Sequence, residues 1–169
     1  MRGQPWIGVI GPGGPDPEGR YDIDVLARLA EEVGRLLAAR GAVVLTGGLG
    51  GVMAAAARGA TRDPAGRGEC WGILPSADPT TGNAYLTRRI ATGIGEARDF
   101  VLVAMSEALV AVGENPGTRI EIGFAQKQGR TVVGLASRPD ERIAGTTPAT
   151  NPDEAVRLAL AATGRQAGG

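Results

Sequence analysis

Short apolar runs alternate with amphipathic segments along nearly the whole chain, and this alternation constrains the fold more than any other feature. The runs read PWIGVIG, AVVLTGG, ECWGILP, ALVAVG and TVVGL, with RRIATGI as a further short candidate. Between the first two, apolar residues recur at helical spacing from Ile23 to Leu37, and Gly41 follows as a helix end. Parallel strands need a helical crossover between them. The pattern predicts an α/β fold, a Rossmann-like three-layer sandwich with a mostly parallel sheet and helices on both faces.

The length and composition are those of one domain. The chain has 169 residues, of which 43% are hydrophobic and 21% charged. A closing helix is predicted from Asn151, a typical N-cap residue, followed by Pro152 in the first turn. We expect residues 1–164 to form a single domain and residues 165–169 to form a flexible tail.

Composition also excludes several function classes. The sequence has no histidine and one cysteine, Cys70, so we expect no metal site. Its 18 basic and 18 acidic residues are interspersed, which does not indicate a nucleic-acid partner. No apolar run is long enough for a membrane span, and we expect a cytoplasmic protein without a membrane partner. The only lysine, Lys127, is remote from the glycine loops, so Schiff-base chemistry is not expected.

Three glycine turns follow predicted strands and precede predicted helices. Such turns bring backbone N–H groups close to an anion, and the positive end of the helix adds to the attraction. The alternative is that the glycines only make tight turns, but three turns at one edge of the sheet favour a pocket. The predicted ligand-binding residues are Gly11, Gly13, Gly14, Thr46, Gly47, Gly48, Gly50, Gly51, Gly113, Gly117 and Thr118.

Three segments in this order carry a family resemblance: VLTGGLGGVMAAAARGA, GIGEARDFVLVAMSEALVAVG and GENPGTRIEIGFAQKQGRTVVGL. They resemble the superfamily that contains the Lonely-guy cytokinin-activating phosphoribohydrolases and the molybdenum-cofactor carrier proteins, once mislabelled lysine decarboxylases. The resemblance extends to about Leu135. The GIGEARD segment and the short length are closer to the carrier-like branch.

The hydrolase branch has a Pro-Gly-Gly-x-Gly-Thr-x-x-Glu motif and an arginine ahead of the preceding strand. Gly117, Thr118 and Glu121 match the end of that motif, and Arg98 falls at the place of the arginine. The resemblance therefore implies Arg98 and Glu121 as candidate catalytic residues. The start of the motif differs, because Gly113, Glu114 and Asn115 replace Pro-Gly-Gly. A side chain at 114 restricts the backbone, and its charge puts phosphate binding at this loop in doubt.

Several residues keep two interpretations. Glu121 either acts on a ribose hydroxyl or a water, or forms a capping box with Thr118. Thr46 either points at a ligand or caps its own turn. Trp71 either stacks on a ring or packs in the core, which the middle of an apolar strand favours. Residues 75–88 form either a lid or a surface loop.

The first function expected from these features is binding of a phosphorylated nucleotide or pterin-type ligand, with no chemistry required. The alternative is hydrolysis of the N-glycosidic bond of a nucleoside 5′-monophosphate by Arg98 and Glu121; a lysine decarboxylase is not expected. No cofactor is required, although a bound nucleotide or molybdenum cofactor fits the resemblance. The resemblance also implies a homodimer or a dimer of dimers, for which helix 53–60 with Phe100, Val101 and Met105 is the predicted interface.

Overall fold

The computed structural model describes residues 3–136, 138 and 140–164, and in this part of the chain seven strands form one sheet. All neighbouring strands are parallel, in the order β4-β3-β2-β1-β5-β6-β7. The strands are β1 (Trp6–Ile10), β2 (Val43–Thr46), β3 (Glu69–Leu74), β4 (Arg88–Ala91), β5 (Ala108–Val112), β6 (Thr131–Leu135) and β7 (Thr147–Pro148). The two-residue β7 was not predicted, because it has neither the length nor the apolar content of a strand signal.

Five α-helices cover the sheet on both faces, as predicted. They are α1 (Ile23–Ala39), α2 (Gly51–Thr61), α3 (Arg98–Met105), α4 (Pro116–Lys127) and α5 (Pro152–Ala162). One buried cluster joins the sheet to α1, α2 and α5 through residues such as Val9, Leu26 and Ala155. A second cluster joins the opposite face to α3 and α4 through Ile10, Leu102 and Ile122. The α/β three-layer prediction is therefore confirmed.

Helix boundaries follow their capping residues. The Asp22 side chain accepts hydrogen bonds from the N–H groups of Asp24 and Val25 at the start of α1. Asn151 caps α5 in the same way, with Pro152 in the first turn, as the sequence predicts. The helix predicted from Glu96 instead begins as a 3₁₀ turn, Gly95–Ala97, before α3. The tail predicted at residues 165–169 lies outside the described residues.

The backbones of α1 and α2 approach closely because small residues line their contact. A Cβ at Gly34 of α1 would overlap the carbonyl of Ala56, and a Cβ at Gly59 of α2 would overlap the carbonyl of Glu31. The buried alanines of α2 pack against neighbouring elements of the same chain, and the predicted oligomer interface stays a prediction. Phe100, which is 46% exposed on α3, stays available for a partner.

Within the described ranges, no helix combines the length and the apolar character that crossing a membrane requires.

The close helix contact predicts opposite effects for two Gly→Ala substitutions. Gly34→Ala should lower the free energy of unfolding by about 1–3 kcal/mol, because the methyl group meets backbone that must move. Gly123→Ala in α4 is the matched control, since space around this helical glycine is open. It should stabilise the protein by roughly 0.5–1 kcal/mol. Urea denaturation measures both values, and equal effects would contradict the described α1–α2 contact.

Candidate functional site

A crevice opens where the chain leaves β1 and β5 in opposite directions. After β1 the chain crosses to α1 on one face of the sheet, and after β5 it enters α4 on the other. Ligands of open α/β sheets bind at such a switch point. A cavity of about 200 Å³ lies there, and we call it the switch-point cavity. Its lining includes Gly11, Gly13, Gly47, Leu49, Met53, Glu96, Arg98, Asp99, Asn115, Gly117, Thr118 and Glu121.

The structure brings together some of the residues predicted to bind ligand and separates others. Both candidate catalytic residues and five of the predicted ligand-binding residues line the switch-point cavity: Arg98, Glu121, Gly11, Gly13, Gly47, Gly117 and Thr118. Gly113 lines a neighbouring cavity instead. Neither cavity is lined by Gly14, Thr46, Gly48, Gly50 or Gly51.

Predicted residues that line neither cavity have structural roles in the second glycine turn. Gly51 has a φ of +57°, and a Cβ there would overlap the Pro12 carbonyl, so it holds the second turn against the first. The Thr46 side chain is fully buried, and its Oγ1 accepts the Gly48 N–H at 3.1 Å. This contact is the one expected if Thr46 caps its own turn.

Part of the long segment between β3 and β4 supports the second glycine turn. The Asn83 N–H donates to the Gly48 carbonyl at 2.9 Å, and the Asn83 amide donates to the Leu49 carbonyl at 3.0 Å. Leu86 is buried beside Gly48 and Gly72. This segment lines neither cavity. Its hydrogen bonds stabilise the second glycine turn. Trp71 also lines neither cavity. Its ring packs edge-on against that of Trp6, with the ring centroids 4.7 Å apart.

Three buried charged side chains form the polar wall of the switch-point cavity. Arg98, Asp99 and Glu121 are only 5%, 5% and 7% exposed. The Arg98 Nη1 donates to Asp99 Oδ1 at 2.5 Å and lies 4.0 Å from Glu121 Oε1. Its Nε, also buried, has no hydrogen-bond partner in the described structure. A Cβ at Gly47 would lie 2.5 Å from Arg98 Nη1, so a larger residue there would displace the guanidinium.

Burial favours the protonated form of the Glu121 and Asp99 carboxyl groups. Desolvation raises the pKa of Glu121 to about 8, assisted by the charge of Asp99 and opposed by that of Arg98. The pKa of Asp99 is also raised, by burial first, while Arg98 acts in the opposite direction. At neutral pH Glu121 is therefore mostly uncharged, and Arg98 pairs with Asp99.

The start of α4 overturns the capping-box interpretation of Glu121. Asn115 is the N-cap, and its Oδ1 accepts from both the N–H and the hydroxyl of Thr118 at 2.9 Å. The helix begins at Pro116, two residues before the predicted Thr118, so Glu121 lies in the second turn. Since Pro116 has no N–H, Gly117 supplies the remaining N–H of the first turn that a ligand can use.

Asp99, Met53 and Asn115 are among the cavity residues that the sequence-based prediction missed. Asp99 adjoins Arg98, but without the helix position nothing indicated that both side chains are buried. Met53 belongs to the small-residue helix and gave no polar signal. Asn115 did carry a signal, because Asn-Pro at 115–116 repeats the cap pattern recognised at Asn151-Pro152.

A second cavity of about 290 Å³ lies beside the first, at the ends of β5 and β6. Asn115 lines both cavities. We call the second one the Glu114 cavity, and its polar lining comprises Arg20, Tyr21, Glu114, Asn115, Arg119, Glu141 and Arg142. The carboxylate that replaces a glycine of the hydrolase motif therefore lies outside the switch-point cavity.

Comparison with known proteins gives one family and several related structures. The SLOG cluster4 family model matches residues 4–163. An uncharacterised protein of Archaeoglobus fulgidus is 39% identical over 157 residues, covering 93% of this chain and 95% of that protein. The molybdenum cofactor binding protein of Rippkaea orientalis is 30% identical, with a TM-score of 0.80 over 95% of this chain and 98% of that one.

The Moco carrier protein of Chlamydomonas reinhardtii is similar to the same degree. It is 31% identical, with a TM-score of 0.78 over 96% of this chain and 99% of that one. The resemblance to the superfamily, and to its carrier-like branch, is confirmed.

The raised pKa of Glu121 predicts a pH-dependent effect of Glu121→Gln on stability. An unfolded glutamate titrates near 4.5 and the folded one at about 8. Unfolding therefore releases a proton between these values, and wild-type stability falls as pH rises through this window and levels off above it. The amide carries no charge to bury, so the free energy of unfolding of the variant should exceed that of wild type by about 4 kcal/mol at pH 8, with little difference at pH 4. Denaturant titrations at both pH values measure this, and a pH-independent difference would contradict the assignment.

Proposed function

This chain belongs to the SLOG cluster4 family, and we propose that it binds a phosphorylated pterin-type or nucleotide ligand in the switch-point cavity. The observation that carries the proposal is the buried Arg98. Its guanidinium lines a glycine-walled cavity, and its Nε–H lacks a partner among the described residues. A buried donor without a partner costs about 1–3 kcal/mol, and a ligand phosphate would remove that cost.

The start of α4 adds a second attraction for a phosphate. Gly117 lies in the first turn of this helix, where the backbone dipole favours an anion, and it lines the same cavity. Gly13 and Gly47 also line the cavity, and the Met53 side chain lies beside both of them. These features support a ligand whose anionic group lies between Arg98 and the helix.

The acidic residues of the cavity do not oppose this arrangement at neutral pH. Glu121 is mostly protonated because its pKa is raised, and the charge of Asp99 is balanced by Arg98 at 2.5 Å. Glu96 is exposed, so solvent screens its charge. A neutral Glu121 also has a hydroxyl that can donate a hydrogen bond to the phosphate.

The related structures support the pterin-type class. Two of them are named as a molybdenum cofactor binding protein and a Moco carrier protein, and both align with nearly the whole chain. The molybdenum cofactor is a phosphorylated pterin. Arg98 and Gly117 would hold its phosphate, and the protein would act as a carrier without changing it.

A substitution at Arg98 tests the binding proposal. Arg98→Lys keeps a cation beside Asp99 but removes the planar fork, and we expect about tenfold weaker binding of GMP or 6-hydroxymethylpterin phosphate. Arg28→Lys, an exposed substitution on α1, is the matched control and should bind as wild type does. Isothermal titration calorimetry measures the dissociation constants. Equal affinities for all three proteins would overturn the proposal.

A second candidate function is hydrolysis of a nucleoside 5′-monophosphate to the free base. It is favoured by one observation, that Arg98 and Glu121 share the cavity, with Arg98 Nη1 4.0 Å from Glu121 Oε1. Water would add at the anomeric carbon as the carbon–nitrogen bond breaks. The base would leave with the proton of Glu121, and the proton of the water would return to that carboxylate.

Release of free base from a panel of nucleoside monophosphates separates the two functions. A hydrolase should lose at least a hundredfold in kcat with Glu121→Gln, because the amide has no proton to transfer. A carrier should release no base, while the same protein still binds the ligand by calorimetry. Base release that is unchanged in Glu121→Gln would exclude Glu121 as the proton donor.

A further inference from the structure

Glu114 lines the Glu114 cavity, and one of its carboxylate oxygens has no hydrogen-bond donor among the described residues. Glu114 Oε2 is shielded from solvent and has no hydrogen-bond partner there. The side chain lines the cavity together with three arginines, Arg20, Arg119 and Arg142. A shielded carboxylate oxygen without a donor is costly, and the cost is larger for a charged group than for a neutral one.

The backbone fixes Glu114 in this position. Gly113 has a φ of +69°, and a Cβ there would lie 2.5 Å from the Leu26 side chain, so only glycine makes this turn without strain. Asn115, on the other side, is held by its two hydrogen bonds to Thr118. Glu114 therefore lies between two anchored residues, and its side chain lines the cavity.

Two of the three neighbouring arginines, Arg20 and Arg142, already have other partners. The Arg20 guanidinium makes a bidentate contact with the Asp16 carboxylate, with Nε 2.9 Å from Oδ2 and Nη2 3.0 Å from Oδ1. Its Nη1 lies 3.3 Å from Glu18 Oε2. The Arg142 Nη1 donates to the Glu141 carbonyl at 2.8 Å. The cavity volume, about 290 Å³, is near the lower end of the range for small-molecule sites, roughly 300–1,000 Å³.

We propose that Glu114 is a specificity-determining residue that binds the aminopyrimidinone edge of the ligand ring. An ionised carboxylate only accepts hydrogen bonds, so its partner must present N–H donors. Guanine and pterin rings present a ring N–H beside an amino group, two parallel donors that match the two carboxylate oxygens. Adenine presents its amino group beside a ring acceptor, which would face the carboxylate without a hydrogen bond.

The two cavities adjoin at Asn115, and the inference rests on the proposed function. Asn115 lines both, so a ligand that lies across it has its phosphate near Arg98 and its ring beside Glu114. The terminal torsion of a glutamate is broad, which lets the carboxylate turn its shielded oxygen toward the ring. The residue that departs from the hydrolase motif thus distinguishes a pterin or guanine ring from adenine.

Calorimetric titration with three probes tests the inference: GMP, 6-hydroxymethylpterin phosphate and AMP. Wild type should bind the first two at least about tenfold more tightly than AMP. Glu114→Gln should weaken the binding of GMP and of the pterin phosphate by about tenfold and leave the affinity for AMP unchanged. Glu141→Gln is the matched control, because it removes the same charge from the same cavity while its carboxylate already faces Arg138 at 3.8 Å. Glu141→Gln should bind the three probes in the same order of affinity as wild type does.

Each outcome decides between the claims. Equal wild-type affinity for all three probes, or an unchanged order in Glu114→Gln, would overturn the role of Glu114 and leave the binding function in place. Failure of wild type to bind any probe would overturn the binding function together with the inference. Tighter binding of the pterin phosphate than of GMP would identify a pterin as the ligand class, and the reverse preference would identify a guanine nucleotide.

Discussion

The site depends on one constraint of the sheet, the adjacency of β1 and β5 with connections to opposite faces. Backbone hydrogen bonds hold the two strands in register from Ile7 with Ala108 to Ile10 with Ala111. Because the next segments diverge, side chains cannot fill the space between them, and a crevice forms at the strand ends. Glycine at 11 lets the first segment pass the end of β5, where a Cβ would overlap the Val112 carbonyl. Residues far apart in sequence meet there.

Electrostatics then give the crevice its chemistry. A guanidinium that is 5% exposed needs a partner, and Asp99 supplies it at 2.5 Å. The charge of that partner, with burial, raises the pKa of Glu121 and keeps the second carboxyl neutral. A cavity with two buried carboxyl groups thereby remains compatible with an anionic ligand. The same neutral carboxyl is the proton donor that the hydrolase alternative needs.

The sequence predicted the fold well because a parallel sheet repeats one local pattern. Continuous apolar runs and capped amphipathic helices each leave a signal within a dozen residues, and even the Asn151 cap was identified. The site was predicted in part. Arg98 and Glu121 came from the family resemblance, whereas the burial of Asp99 depends on how α3 meets the sheet. The same holds for Glu114: its charge was visible in the sequence, but its placement in a separate cavity follows from the left-handed Gly113.

A crystal structure of the protein with 6-hydroxymethylpterin phosphate would show directly whether the switch-point cavity holds a phosphate. We expect the phosphate at the switch point, with oxygens about 2.7–3.1 Å from the nitrogens of the Arg98 guanidinium and from the Gly117 nitrogen. Density for the ligand away from this crevice, with Arg98 still paired only to Asp99, would contradict the claim that the switch-point cavity is the binding site.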